Sequence, residues 1–256
     1  MILVTGAGGK TGQAVIRALK NRGVAVRAWL RRPPTGTPPP DVEWLAGDLL
    51  DPNRWRQACS GVRALYLICP NMHPQEAEIG RLALESAQTA GMERIVYHSV
   101  LHPQTENMPH HWNKLRVEEA ILASGLPFTI LQPAAYMQNV LGYWSAIVEE
   151  GVYRVPYRVT ARLALVDLDD VAEAAARVLT EAGHEWAIYE LAGPENLSQL
   201  DVAEILGQAL GRIVRAEETP QGARAAAARK GGLNDYAVET LLAMFRYYDR
   251  HGLLGN

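Results

Sequence analysis

The chain begins Met1-Ile2-Leu3-Val4-Thr5-Gly6-Ala7-Gly8-Gly9-Lys10-Thr11-Gly12, an apolar run that passes through a glycine turn into a helical pattern. Glycines let backbone N–H groups come close to an anion, and the positive end of the following helix points at the same place. Two nucleotide readings compete for this stretch. Gly9-Lys10-Thr11 imitates the end of a P-loop, whereas Gly6, Gly9 and Gly12 have the GxxGxxG spacing of a dinucleotide turn. A P-loop carries a further glycine five residues before the last one, and that position is Val4. The dinucleotide reading stands. A turn that binds nothing is the bland alternative, and three glycines at this spacing exceed what a chain reversal requires.

Outward from the turn, Ala14, Val15, Ala18 and Leu19 recur at helical spacing, and Asn21-Arg22-Gly23 closes the helix. The strand Val24-Ala25-Val26-Arg27-Ala28-Trp29-Leu30 completes a βαβ unit and ends on Arg31 and Arg32. An NAD site usually has a carboxylate about 20 residues beyond the glycines, for the adenosine ribose. Here that position is Arg31, with no carboxylate until Asp41. Two guanidinium groups favour the 2′-phosphate of NADP, although an arginine pair at a strand end can also be simply solvated.

Pro33, Pro34, Pro38, Pro39 and Pro40 predict an extended surface loop. Val42-Glu43-Trp44-Leu45-Ala46 reads as a third strand delivering Gly47-Asp48-Leu49, where Asp48 suits either the adenine end of a cofactor or the cap of a helix over 51–59. Strands over 64–69, 94–100 and 126–133 alternate with helices over 74–90 and 109–124, which predicts an α/β fold with a doubly wound parallel sheet. Pro70 and Asn71 then fall over the middle of the cofactor. Cys69 reads as a buried strand-end residue, since no base or cation flanks it. His98, His102, His110 and His111 lack an accompanying cysteine or carboxylate ligand pattern, so no metal is expected.

Later in the chain we expect a helix over 134–150, strands over 162–167, 186–191 and 213–216, and helices over 168–182, 198–210, 223–229 and 235–251. The expected organisation is an NADP-binding core over 1–133, completed by a strand and helix within 160–182, and a smaller α/β lobe over 134–256 that mainly forms the substrate pocket.

The formal net charge of −3 over 256 residues gives no bulk attraction to nucleic acid or anionic lipid. Two cysteines suit a reducing compartment, the N-terminus lacks a signal-peptide pattern, and no apolar run has the length of a membrane span, so a cytoplasmic protein is expected.

The chain resembles the NmrA-like group of atypical short-chain dehydrogenase/reductases. The resemblance rests on Val4 to Gly12, Gly47-Asp48-Leu49, the stretch from Ser99 to Lys114, Leu131-Gln132-Pro133-Ala134-Ala135-Tyr136-Met137-Gln138-Asn139, and Asp167-Leu168-Asp169-Asp170-Val171-Ala172. It implies that Gly6, Gly9, Lys10, Thr11 and Gly12 wrap the pyrophosphate of NADP(H). It implies further that Arg31, backed by Arg32, meets the 2′-phosphate and that Asp48 and Leu49 flank the adenine. Ser99 falls in the matching region, and the resemblance also implies that Lys114 reaches the nicotinamide ribose and that Pro133 with Tyr136 borders the nicotinamide and the substrate.

One departure bears on chemistry. The wider superfamily uses Tyr-x-x-x-Lys for proton transfer, and four residues before Lys114 stands His110. His110, Lys114 and Tyr136 are therefore the catalytic candidates, with histidine able to exchange a proton near neutral pH. The expected activity is NADPH-dependent reduction of a flat, apolar quinone or conjugated carbonyl, in a pocket lined by Tyr136, Asn139, Tyr143 and Trp144. The alternatives are a non-catalytic NADP(H) redox sensor and, further off, epimerase or isomerase chemistry on the same scaffold.

Overall fold

A computed structural model describes residues 1–32 and 34–255. Pro33, one of the prolines expected in the surface loop, lies outside them. In chain order the first half alternates β1 (Ile2–Val4), α1 (Lys10–Asn21), β2 (Val26–Leu30), β3 (Val42–Ala46), α2 (Pro52–Cys59), β4 (Ala64–Leu67), α3 (Glu76–Thr89), β5 (Arg94–His98), α4 (Pro109–Ala123) and β6 (Phe128–Pro133). There follow β7 (Ala135–Tyr136), a 3-10 helix (Met137–Tyr143), α5 (Trp144–Glu150), β8 (Val152–Val155), β9 (Arg162–Val166), α6 (Leu168–Thr180) and β10 (Ala187–Leu191). The chain closes with β11 (Asn196–Ser198), α7 (Gln199–Leu210), β12 (Arg215–Glu218), α8 (Gln221–Lys230) and α9 (Asp235–His251). It divides into two compact units: Met1–Gln104, Asn113–Pro133 and Leu168–Leu191 form the first, and Thr105–Trp112, Ala134–Asp167 and Ala192–Asn256 the second.

The first unit is a Rossmann-like α/β layer structure. Among the described residues its sheet has seven strands in the order β10-β6-β5-β4-β1-β2-β3, and the pairs run parallel. The chain moves outward from β1 to β3 and then returns to β4 on the other side of β1, so the winding reverses between β1 and β4. Side chains alternate between the faces of a strand. Leu3, Leu65, Leu67, Ile95, Tyr97, Phe128 and Ile130 accordingly share one core with Trp55 of α2, Ile79 and Leu82 of α3, and Val117 and Ile121 of α4. On the other face, Arg22 at the end of α1 reaches Glu173 and Glu181, tying α1 to α6 and the residue that follows it.

Thr5 locks the strands at the reversal point. Its Oγ1 donates to the Ile68 carbonyl at 2.9 Å and accepts from the Ile68 N–H at 2.8 Å, extending the β1–β4 contact past the ends of the strands.

In the second unit, β9 lies between β11 and β7, and β12 pairs with β8. Ser198 and Asp201 form a reciprocal capping box that starts α7. Ile147, Tyr153, Val155, Ala203 and Val214 make the apolar centre of this unit.

Two expectations need correction. The strand expected over 162–167 forms, but it is the middle strand of the small sheet; β10 supplies the seventh strand of the large one. Both segments are short apolar runs, which hydrophobic periodicity alone does not assign to a sheet. The helix expected over 134–150 is three elements. Ala135 and Tyr136 pair with Leu165 and Val166, and no residue of the 3-10 segment is buried, so no apolar face drives an α-helix there before α5. The short strands β8 and β11 were not anticipated, and the strand expected over 213–216 lies at Arg215–Glu218.

Thr5→Val keeps the shape of the side chain and leaves the Ile68 N–H and carbonyl without the hydroxyl. We expect a loss of about 1–3 kcal/mol, read as a fall of several degrees in the thermal unfolding midpoint. An unchanged midpoint would show that the β1–β4 reversal does not depend on this clamp.

Candidate functional site

A parallel sheet gathers the loops that follow its strands along one edge. In the first unit those loops contain Gly6 after β1, Arg31 and Arg32 after β2, Asp48 and Leu49 after β3, Pro70 and Asn71 after β4, and Ser99 after β5, while Pro133 ends β6. Ligands of open α/β sheets bind at this edge, beside the point where the winding reverses.

The glycine turn is built for close approach. Gly6 has φ +60°, and a Cβ on Gly12 would lie 2.4 Å from the Gly6 carbonyl oxygen and 2.7 Å from the Ala7 Cα, so α1 can start against the turn only with glycine there. Gly9 is the residue before α1; it makes no side-chain cap, and the first turn, containing Lys10 and Thr11, holds no acidic group. This end of α1 offers backbone N–H groups and a positive dipole end to an anion. The arrangement fits a dinucleotide phosphate.

Arg31 and Arg32 are exposed. Asp48 is exposed and accepts from the Leu50 N–H at 3.0 Å, whereas the cap of α2 is Asp51, which accepts from Asn53 at 2.8 Å. Of the two roles open to Asp48, helix capping therefore belongs to its neighbour. Leu49 is buried, and its carbonyl accepts from the Trp55 indole at 2.8 Å. Pro70 and Asn71 are exposed.

Beneath the β4–β5 end of this edge lies a buried polar network. Lys114 of α4 donates from Nζ to Glu76 Oε1 at 2.9 Å and to the His98 carbonyl at 3.0 Å, and stands 5.2 Å from the centre of the Tyr97 ring. The Tyr97 hydroxyl donates to the same Glu76 oxygen at 3.1 Å. Burial, followed by the Glu76 charge, pushes the Cys69 thiol and the Tyr97 hydroxyl well above their ordinary values. Cys69 is therefore a protonated strand-end group. One turn beyond Lys114, Glu118 accepts from the Ser99 hydroxyl and from Gln132 Nε2 at 3.0 Å. Burial raises the Glu118 carboxyl, and the bonds from Ser99 and Gln132 oppose that rise.

The period of two along β5 accounts for this layout. Tyr97 and Ser99 point toward α3 and α4, while His98 points to the opposite face and meets the Tyr66 hydroxyl at 2.7 Å through Nδ1. Burial, and then the Lys114 charge, lower the His98 ring to about 3.

Glu76, Glu118 and Gln132 escaped the sequence reading. Glu118 could have been found four residues after Lys114 on one helix face, whereas Glu76 looks in sequence like an ordinary first-turn acid of α3. His110 and Tyr136 belong to the second unit. His110 is buried with its ring perpendicular to that of His111, at 5.9 Å. Tyr136 is half-buried in β7, and Gln138 donates to Asp167 at 3.0 Å. Of the residues expected to line a pocket, Tyr143 packs edge-on against Tyr153 at 5.6 Å, and Trp144 and Asn139 are exposed. No described helix is long and apolar enough to cross a membrane.

The model of the NmrA-like family matches residues 1–256. The chain is 32% identical over 222 residues to an NAD(P)H azoreductase of Xenophilus azovorans, covering 84% of this chain and 76% of that protein. It is 31% identical over 245 residues to quinone oxidoreductase 2 of Escherichia coli, covering 94% and 85%. Its fold superposes on an NADPH-dependent quinone oxidoreductase from Escherichia coli, solved in complex with NADPH, with a TM-score of 0.83 and 29% identity, covering 100% of this chain and 91% of that one.

The His98 environment makes a stability prediction. In the unfolded chain a histidine titrates near about 6.5, whereas the folded ring protonates only at about 3. Between those values the unfolded state binds the extra proton, so stability is lost as pH falls below about 6.5, by up to about 1.4 kcal/mol per pH unit. Urea unfolding measured between about pH 7 and about pH 4 should show this slope, and His98→Asn should flatten it. Equal slopes for both proteins would exclude His98 as its source.

Proposed function

The chain belongs to the NmrA-like family, and from that premise we propose that it is an NADPH-dependent oxidoreductase that reduces a quinone or a conjugated carbonyl compound. The observation that carries the reading is the pairing of an uncapped glycine turn with two exposed arginines at the end of β2, where an NAD site would have a carboxylate. The relatives named as NAD(P)H azoreductase and quinone oxidoreductase support the reaction class.

In this reading Gly6, Gly9, Lys10, Thr11 and Gly12 hold the pyrophosphate, and Arg31 with Arg32 binds the 2′-phosphate through forked, charge-assisted bonds. Asp48 and Leu49 border the adenine, Pro70 and Asn71 the middle of the cofactor, and Ser99 and Pro133 its nicotinamide end. When bound, the reduced nicotinamide supplies the hydride. Lys114 has three N–H donors, two of which are committed to Glu76 and His98. The remaining donor holds a ribose hydroxyl or a water that delivers the proton. His110 is the alternative source of that single proton, and Tyr136 is the residue assigned to border the substrate. The residues over 134–256 supply the greater part of the substrate pocket.

NADPH oxidation followed by absorbance against a panel of quinones, enones and azo dyes tests the activity. Consumption with at least one acceptor is expected; none, together with unequal affinities for oxidised and reduced cofactor, would replace the reductase by a redox sensor. Arg31→Ala should weaken NADPH binding by about 10- to 100-fold while changing NADH binding by no more than about twofold. Calorimetry reads both, and equal losses would overturn the NADP assignment.

A further inference from the structure

The sequence carries a lysine without the tyrosine that accompanies it in the wider superfamily, yet Lys114 does not stand alone. Lys114 is 5% exposed, and its partner Glu76 is completely buried. A buried glutamate is rare unless it is paired, and an ammonium removed from water needs a counter-charge to remain charged. We propose that Glu76 is the positioning residue of the reductase site: its carboxylate holds the Lys114 ammonium against the carboxyl ends of β4 and β5. The proposal rests on the function given above.

Groups facing Lys114 come from β4, α3, β5 and α4 itself. Cys69 follows β4, Glu76 opens α3, Tyr97 and His98 end β5, and Glu118 lies one turn on along α4. Cys69 and Tyr97 are held protonated, and His98 is held neutral by its burial and the lysine charge. Glu118 is occupied by Ser99 and Gln132. Glu76 is the carboxylate in direct contact with Nζ, at 2.9 Å, and Tyr97 donates to the same oxygen, fixing its direction.

The helix spacing serves the same pair. Gly80, one turn after Glu76 on α3, faces Val117 on α4: a Cβ there would lie 2.8 Å from Val117 Cγ1. The absence of that carbon lets α3 and α4 close to the distance at which Glu76 meets Lys114. The sequence hides this because Glu76 and Lys114 are separated by 38 residues and share no motif.

The chain has four lysines, Lys10, Lys20, Lys114 and Lys230, so its side-chain ammonium NMR spectrum is simple to assign with Lys114→Met. At a fixed neutral pH the Lys114 signal should move in Glu76→Gln, because the ammonium loses the carboxylate 2.9 Å from it, with the other three signals unmoved. kcat/KM at that pH should fall about tenfold or more. Glu76→Asp, which retains the charge at shorter reach, should fall between the two and provides the test if Glu76→Gln does not fold. An unmoved Lys114 signal in a folded variant would overturn the proposal. If the wild type reduces no acceptor while the Lys114 signal still shifts, the reductase reading fails and the Glu76–Lys114 assignment stands.

Discussion

Parallel pairing of β1 with β4 is the constraint from which the rest of the first unit follows. It forces the winding to reverse beside the glycine turn, and the Thr5 hydroxyl holds the two strand ends together at that point. With the strands running the same way, the loops carrying Gly6, Arg31, Asp48, Asn71 and Ser99 share one edge. A ligand that spans the edge would then meet the glycine turn, a cationic corner and a polar network as a consequence of topology. None of these features requires a long or specialised loop.

The network below the edge runs against the usual preference for an apolar core. The helix α4 turns a stripe containing Lys114, Val117, Glu118 and Ile121 toward the sheet, so two charged residues interrupt an otherwise apolar face. Burying them costs solvation that their pairing only partly offsets. Their geometry explains why the fold tolerates them: Glu76, Tyr97 and the His98 carbonyl surround Lys114, while Ser99 and Gln132 surround Glu118. The two clusters also restrain Ser99 and Lys114 at adjacent positions of the edge, which is a preorganised arrangement rather than a general contribution to stability.

The alternation of strands and helices in the first 133 residues was legible because each strand is a compact apolar run and each helix ends in a glycine or a polar break. The large sheet was therefore foreseeable down to its first six strands. Its seventh strand was not, because Arg162–Val166 and Ala187–Leu191 have similar local character and only long-range pairing separates them. The 3-10 segment defeated helical reasoning for another reason: its apolar residues are not directed to one buried face. Among the candidate residues, the glycines and arginines stood out through local spacing, and Lys114 through the family resemblance. Glu76 was not, since its meaning arises from an encounter between two helices distant in sequence.

Gly80 gives this architecture an unusual mechanical sensitivity. A missing methyl group sets the gap between α3 and α4, and the buried ion pair sits one helical turn from that gap. A Cβ at residue 80 would press on the Val117 side chain, so the approach of the two helices at this point relies on a residue with no side chain. Variation at a residue with no polar side chain would thus reach the Glu76–Lys114 pair through the spacing of two helices. The permissible sequences of this site are limited by the fit between two helices as much as by the groups that they carry.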